Sequence, residues 1–375
     1  MLLTGFSHSI GHEVGVEQVL SILASREGIQ FSADTDEIPE IWREHIRQDI
    51  ECPSCFVRGA EIAKVPASSV GISRRRWCFQ FSREGSLTNH SVECDFFGGK
   101  AGGLPANMVR FDTGRTMINR GVGELVARAI RLKIIDDGSA RGLREWIFNL
   151  RKESKFIVTL DPRVPIWIQG LHGSLEVDYE ALPYEVELTR KIVNIPGFDW
   201  RTAATVVYRG QHRELFEILR RERLWLHESA GRIAGLASTY QGRYVLDRAS
   251  IRVEYEKALR LATFISIHCS PINCAPGAKR SSREPALLAF ATLLLFVSGW
   301  EFGAAIDRLA VVMNDQSRRS GGEELSNFTS VNPFDDYEAW DELKRLQALP
   351  GFRTGKLNMR VELLEIERQL RADFS

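Results

Sequence analysis

Cys52-Pro-Ser-Cys55 sets two thiols two residues apart, a spacing at which one tight turn presents both sulfurs to a single tetrahedral ion. His90-Ser-Val-Glu-Cys94 offers a second pair, and its three intervening residues suit one turn of helix or a compact loop. Cys52, Cys55, His90 and Cys94 together make a closed Cys3His set, the form expected of structural zinc. A catalytic zinc keeps a water position and usually recruits a carboxylate. Cys78 competes for the fourth place, but it lies between Trp77 and Phe79 in a strand-like piece and is expected to face a small core. The chain has six cysteines, four of them early and Cys269 and Cys274 late, too few and too uneven for a secreted disulfide scaffold.

A basic run, Arg74-Arg75-Arg76, abuts Trp77, Phe79 and Phe81. Guanidinium groups hold phosphates and exposed aromatic rings stack bases, so Arg74, Arg75, Arg76, Trp77 and Phe79 are candidate nucleic-acid contacts. In a strand, Arg74 and Arg76 share one face while Arg75 and Trp77 share the other, so one ligand meets all of them only at a sheet edge. The competing expectation is a solvated edge strand whose arginines discourage aggregation while the aromatics pack inward. Between Arg74 and Lys155 stand sixteen Lys/Arg against nine Asp/Glu.

The order Cys-Pro-x-Cys, then Arg74-Arg-Arg-Trp-Cys-Phe-Gln-Phe81, then His90-x3-Cys94-Asp95-Phe96 resembles the N-terminal zinc module of bacterial competence CoiA-like proteins. The resemblance covers about residues 50–97 and implies a following helix and a restriction-endonuclease-like nuclease core. It also implies an accessory role in phage or mobile-element defence. That nuclease chemistry needs an Asp and an acid-x-Lys pair converging on Mg2+. Asp161, Asp178, Glu185 and Glu187 are the nearby acids in strand-like context, and none begins an acid-x-Lys step; Glu187 is followed by Leu188-Thr189.

Other spacings carry less. Arg221 and His227 repeat the Arg-x5-His form of HEPN-type helical ribonucleases, a pattern that Arg-rich helices produce by chance. Glu176-Val-Asp178 and Glu185-Val-Glu187 place carboxylates at strand period, which an amphipathic strand explains as well as Mg2+ binding does. His268, Cys269 and Cys274 lack a fourth donor nearby and read as core or interface residues. Gly98-Gly99 and Gly102-Gly103 are turns with no following Lys-Ser/Thr, and no catalytic signature is recognised elsewhere.

The elements that must position these residues follow from apolar periodicity. A short helix is expected over 13–25, and residues 26–50 read as irregular apart from a turn or two around Ile41–Ile50. Residues 51–105 are rich in Cys, Gly, Ser and aromatics and would struggle to bury a core without a staple. Helices are expected near 122–132 and 143–150, broken by Asp136-Asp-Gly138, then a strand over Phe156–Leu160 and Pro-punctuated extended pieces through Pro196. Helical period returns over 211–223, 251–268 and 285–314; residues 315–333 read as a surface loop before two closing helices. The apolar run Ala286–Trp300 is shorter than the roughly 20 residues of a membrane span and reads as a buried core helix.

The chain has 375 residues with 49 basic and 49 acidic, which excludes a uniformly basic nucleic-acid binder and a disordered or fibrous chain. No basic-then-apolar leader opens it, so no signal peptide and a cytoplasmic location are expected. The expected fold is α+β: a small Cys3His zinc module followed by a predominantly helical body with a small central sheet. The expected segments are 1–49 (N-terminal helical), 50–119 (zinc module), 120–210 (small α/β) and 211–375 (helical). The leading expectation is a zinc-binding bacterial accessory protein that recognises nucleic acid. The alternatives are a zinc-stabilised interaction subunit, partnering a protein or itself through the helical half, and a divergent metal-dependent nuclease. No membrane contact is expected.

Overall fold

The computed structural model describes residues 2–31, 37–65, 76–81, 90–97, 105, 107–112, 116–175, 188–222, 224, 229–269, 272, 283–315, 325, 328–349 and 358–374. The chain is α+β with a helical body and groups into two compact units, each made of two separate stretches. Unit 1 is Met1–Lys155 with Ala249–Asp335, and unit 2 is Phe156–Arg248 with Asp336–Ser375.

In unit 1, β1 (Thr4–Ser7), β2 (Glu13–Gly15) and β3 (Ile50–Glu51) form an antiparallel sheet in the order β2-β1-β3. Helix α1 (Val16–Arg26) buries Val16, Val19, Leu20 and Leu23 at helical spacing. Helix α2 (Glu40–Asp49) is ten residues long, where the sequence suggests only a turn or two. Its polar composition hides an inner face of Trp42 and Ile46, while Arg47 on the outer face pairs with Glu40 and Glu44 at 2.8 and 3.1 Å. Strands β4 (Glu61–Val65) and β5 (Arg76–Gln80) pair antiparallel with Ile62 opposite Phe79 and Lys64 opposite Trp77. Leu2 bridges Phe79. One core follows, in which Leu20, Ile46, Ile50 and Phe79 pack with Cys52 and Cys94. The Cys-rich stretch therefore shares the core of the N-terminal helices.

The rest of unit 1 is built around an apolar helix. Strand β6 (Met108–Arg110) leads to α3 (Met117–Arg131), started by Thr116, whose side chain accepts from the Asn119 N–H. Helix α4 (Asp137–Glu153) begins with a capping box between Asp136 and Ser139, so the Asp136-Asp-Gly138 break is also the start signal of the next helix. The helices between α4 and the next helix of this unit belong to unit 2 and keep their chain-order labels below. Here α10 is Arg252–His268, α11 is Pro285–Val297 and α12 is Phe302–Asn314. Helix α11 buries residues on every side and packs against α3, α4, α10 and α12. The helical period expected through 314 is interrupted after Val297: Gly299 and Trp300 both sit at φ 61°, and the axes of α11 and α12 differ by 114°. No single described helix is long and apolar enough to cross a membrane. Within the expected 315–333 loop, Thr329–Val331 form β9, a buried strand paired antiparallel with β6. Its polar sequence concealed it because Thr329 is held by buried charged groups rather than by water.

Unit 2 contains β7 (Lys155–Ile157), which pairs with β8 (Tyr244–Leu246), and the helices α5 (Arg163–Leu175), α6 (Arg190–Val193), α7 (Trp200–Gln211), α8 (Arg213–Arg221) and α9 (Ala230–Tyr240). Two later helices, α13 (Tyr337–Ala348) and α14 (Met359–Phe374), complete it. Helix α5 replaces the extended pieces expected there. Pro165 falls in its first turn, where the missing N–H costs no intrahelical bond, and Val164, Ile168 and Leu171 are buried. Helix α14 packs along α7, and a buried polar chain joins them: Trp167 Nε1 donates to the Tyr208 hydroxyl at 2.8 Å, which donates to Glu362 at 2.7 Å.

His212 stands edge-on to Trp167 and Tyr208, with ring centroids 5.2 and 4.6 Å away. Burial holds its pKa below the ordinary value, partly opposed by Glu362. A base with a depressed folded pKa takes up its proton more readily in the unfolded chain, so the unfolded state gains as pH falls. Stability that is complete above about pH 6.5 is lost as pH drops below it. Denaturant unfolding at pH 7.5 and 5.5 should show this loss, and His212→Gln should reduce it.

Candidate metal centre

The first pair of ligands sits on a tight hairpin. Glu51 bridges Arg58, Cys52 N–H donates to Val57 O at 2.8 Å, and Phe56 N–H donates to Cys52 O at 3.0 Å. Phe56 takes a left-handed conformation, φ 63°, which turns the chain back onto Cys52. The second pair lies in consecutive turns: Cys94 N–H donates to Ser91 O at 2.9 Å and Phe97 N–H to Cys94 O at 3.0 Å. The compact-loop alternative for His90-x3-Cys94 is therefore the one realised.

Cys52, Cys55, His90 and Cys94 converge, with one donor atom from each lying within 4.8 Å of all the others. Cys52 Sγ is 3.8 Å from Cys94 Sγ, and His90 Nδ1 is 3.3 Å from Cys55 Sγ and 3.4 Å from Cys94 Sγ. Around a tetrahedral ion with zinc-like bond lengths, sulfurs stand about 3.8 Å apart and sulfur and nitrogen about 3.5 Å apart. The group therefore has the dimensions of a metal site. Cys52, His90 and Cys94 are buried and Cys55 is half-buried. Backbone N–H groups support two sulfurs, Ser54 N–H at 3.5 Å from Cys52 Sγ and Phe96 N–H at 3.4 Å from Cys94 Sγ.

The thiols also compete for ionisation. Hydrogen bonds from Cys52 and then Cys94 and His90 hold Cys55 well below its ordinary range. Burial, followed by the neighbouring Cys55 and Cys94, pushes Cys52 far up. Cys94 is lowered by its bond to Cys52 but raised more by Cys55 and burial together, and is pushed up to about 12. A divalent cation at the centre would allow three thiolates to coexist.

Around the ligands, Asp95 joins the two turns. Its carboxylate accepts from Ser54 Oγ at 2.8 Å and Asn107 Nδ2 at 2.7 Å, and pairs with Arg151 at 2.5 Å. Helix α4 lies across both turns with one face. Arg144 donates to Pro53 O at 3.4 Å, within the first turn, and Arg151 donates to Glu93 O at 3.1 Å, within the second. Arg144 also pairs with buried Glu13 and donates to Thr329 O at 2.7 Å. Arg141, on the same helix, and Lys155, two residues beyond its end, pair with Glu51 and Glu93 at 2.7 and 3.0 Å. Sequence reasoning missed this clamp; the signal available was the spacing of Arg141, Arg144 and Arg151 along α4, three and then seven residues apart and so on one helix face.

The other candidates are placed differently. Arg74 and Arg75 lie outside the described residues, and Arg76 is the first residue of β5. Trp77 is 7% exposed and Phe79 0%, so neither offers a ring face for base stacking; this corrects the stacking expectation. The physical reason is alternation: Trp77, Phe79 and Phe81 share the inward face of the strand and join the core. Cys78, buried opposite Ala63, stays outside the ligand group. Asp161 is engaged by Arg163, with bonds of 3.0 and 2.6 Å, and Arg221 by Glu222 at 3.3 Å. Glu176, Asp178, Glu185, Glu187, His227, Cys274 and the glycines of 98–103 lie outside the described residues. Cys269 is buried against Met313, with 3.3 Å between the sulfurs, as a core residue.

Compared with known proteins, the chain matches no family model, no curated protein and no solved structure.

Asp95 touches no ligand atom as a donor to the metal, yet it fixes the turn that carries Cys52 and Cys55 to the turn that carries Cys94. Asp95→Ala should weaken metal affinity by about 10–100-fold, the usual effect of losing an outer partner of a metal site. Competition with a chromogenic chelator measures this directly.

Proposed function

We propose that this chain is an accessory protein with a structural zinc ion that binds nucleic acid through the phosphate backbone. The observation that carries the zinc half is the convergence of three thiols and one imidazole at tetrahedral spacing in a mostly buried setting. Soft thiolates with imidazole and a closed set of four favour zinc over magnesium or calcium, and leave no ligand position for a substrate. In this reading zinc supplies folding free energy, and the protein's own residues orient the two turns.

The nucleic-acid half is supported by the run Arg74–Arg76 at the entry to β5 and by the resemblance of residues 50–97 to CoiA-like zinc modules. A role in phage or mobile-element defence rests on that resemblance alone. Buried Trp77 and Phe79 limit this contact to phosphates, so binding is salt-dependent and weakly selective for sequence. One observation favours a second reading, a zinc-stabilised interaction subunit: Arg141, Arg144 and Arg151 of α4 are taken up by Glu51, Glu13 and Asp95, and Lys155 just beyond it by Glu93.

Metal analysis of the purified chain should give one zinc per molecule, and a metal-free preparation that keeps the native unfolding transition would remove the first half. For the second half, DNA and RNA affinity should fall steeply with salt. Arg74→Ala/Arg75→Ala/Arg76→Ala should flatten the log–log salt slope by about two to three. An unchanged slope would favour the interaction subunit.

A further inference from the structure

At the root of the first metal turn, three side chains from separate parts of unit 1 meet around one buried carboxylate. Glu51 is 3% exposed. Its Oε1 accepts from Arg141 Nε at 3.0 Å and from the Arg141 guanidinium again at 2.7 Å, and its Oε2 lies 2.7 Å from His8 Nε2. Arg141 is held rigidly, with its guanidinium 5.0 Å from the ring centres of both Phe6 and Phe56. That pair alone satisfies the charge of Glu51 and most of its hydrogen bonding.

Arg58 is then in excess. It faces Glu51 across the 51–58 bridge, yet its Nε is 3.9 Å from the carboxylate, and its side chain is 60% exposed. Its guanidinium lies 3.1 Å from His8 Nε2. A second carboxylate nearby, Asp49, is buried and already accepts from Ser7 Oγ at 2.5 Å, Ser9 N–H at 2.6 Å and Ser9 Oγ at 3.1 Å. Those bonds also fix the loop that carries His8, which turns at Gly11 with φ 83°. The acids of this corner thus lie beneath hydrogen bonds, while Arg58 and His8 stand at the surface. The result is an exposed guanidinium beside an exposed imidazole, with Glu51 and the ring-stacked Arg141 beneath them.

We propose that His8 and Arg58, backed by Arg141, form a binding site for a phosphate group. A guanidinium with spare donors beside an imidazole suits the tetrahedral, multiply accepting oxygens of phosphate. Because Glu51 holds the His8 imidazole at 2.7 Å and Arg58 lies 3.1 Å from that ring, the imidazole needs little ordering on binding. The inference deepens the nucleic-acid reading, on which it rests for the identity of the ligand, by naming a contact for a backbone phosphate next to the zinc turn. A free polyphosphate has the same chemistry, and the test separates the two.

The test uses the full zinc-loaded chain with two probes, inorganic pyrophosphate by calorimetry and a short oligonucleotide by fluorescence anisotropy. Arg58→Ala and His8→Ala should each weaken pyrophosphate binding about tenfold or more, the usual scale for hydrogen bonds to a charged group. Arg47→Ala, an exposed arginine of the same unit already paired with Glu40 and Glu44, should leave it unchanged. Arg58→Lys should restore part of the binding, which separates lost charge from a disturbed hairpin. If pyrophosphate binding depends on Arg58 and His8 but no oligonucleotide binds, the phosphate site stands and the nucleic-acid reading falls. If the oligonucleotide binds and neither variant affects either probe, the phosphate site is overturned and the nucleic-acid reading survives. Failure of the wild-type chain to bind millimolar pyrophosphate also overturns the site.

Discussion

Three sulfurs and an imidazole nitrogen within 4.8 Å of one another form the constraint on which the N-terminal part of unit 1 depends. A bare chain has no reason to hold three ionisable thiols together, because each thiolate raises the cost of the next. A cation reverses the sign of that interaction, and apparent binding energies for structural zinc sites are of order 10 kcal/mol. The surrounding chain is arranged to deliver the four donors rather than to bury a large independent core. The 51–58 hairpin is closed by a left-handed Phe56, and Asp95 pins the second turn to Ser54 of the first. Cys52 and Cys94 belong to the same apolar cluster as Leu20 and Ile46, so α1 and α2 supply the packing that the Cys-rich stretch lacks.

Helix α4 converts this local arrangement into a larger one. Arg144 and Arg151 stand two helical turns apart, and each holds a backbone carbonyl of one metal turn as well as a carboxylate. Such buried pairs add little net stability over an apolar contact of the same shape, but removing one partner costs about 3–5 kcal/mol because the other is left uncompensated. Their contribution is therefore to position. Glu13 lies between Arg144 and Thr329 of β9, also accepting from Thr4 of β1, and so ties β2, α4 and β9 together. The strand that the sequence hides in a polar loop is ordered by the same charge that aligns the metal turns.

What was legible in the sequence was local. The ligand pairs declare themselves through spacing within a few residues, and helices such as α3, α10 and α11 through their apolar period. What was not legible depends on partners far along the chain: Arg141 meets Glu51 across 90 residues and Arg144 meets Thr329 across 185. Trp77 and Phe79 are instructive because the needed signal was present. Aromatics at every second position from Trp77 to Phe81 mark one face of a strand, and a face that apolar belongs in a core. The neighbouring arginines suggested a ligand surface, but burial of the rings outweighs stacking on an exposed base. Helix α5 was obscured by Pro165 and the preceding Pro162, though a proline in the first turn is compatible with a helix.

The charge count changes meaning once the partners are known. Of the sixteen basic residues between Arg74 and Lys155, Arg141, Arg144, Arg151 and Lys155 neutralise acids of the metal turns and their supporting strands. Arg110 and Arg131 pair with Asp112 and Asp315. A local excess in sequence is thus partly a record of internal ion pairing with acids elsewhere in the chain, such as Glu13 and Glu51. Affinity for an anion depends instead on which cations keep exposed donors after those pairs are made. Arg58 lies outside the counted segment and meets that condition, because Arg141 already satisfies the carboxylate it faces. A single exposed guanidinium of this kind has donors that several arginines committed to the interior do not.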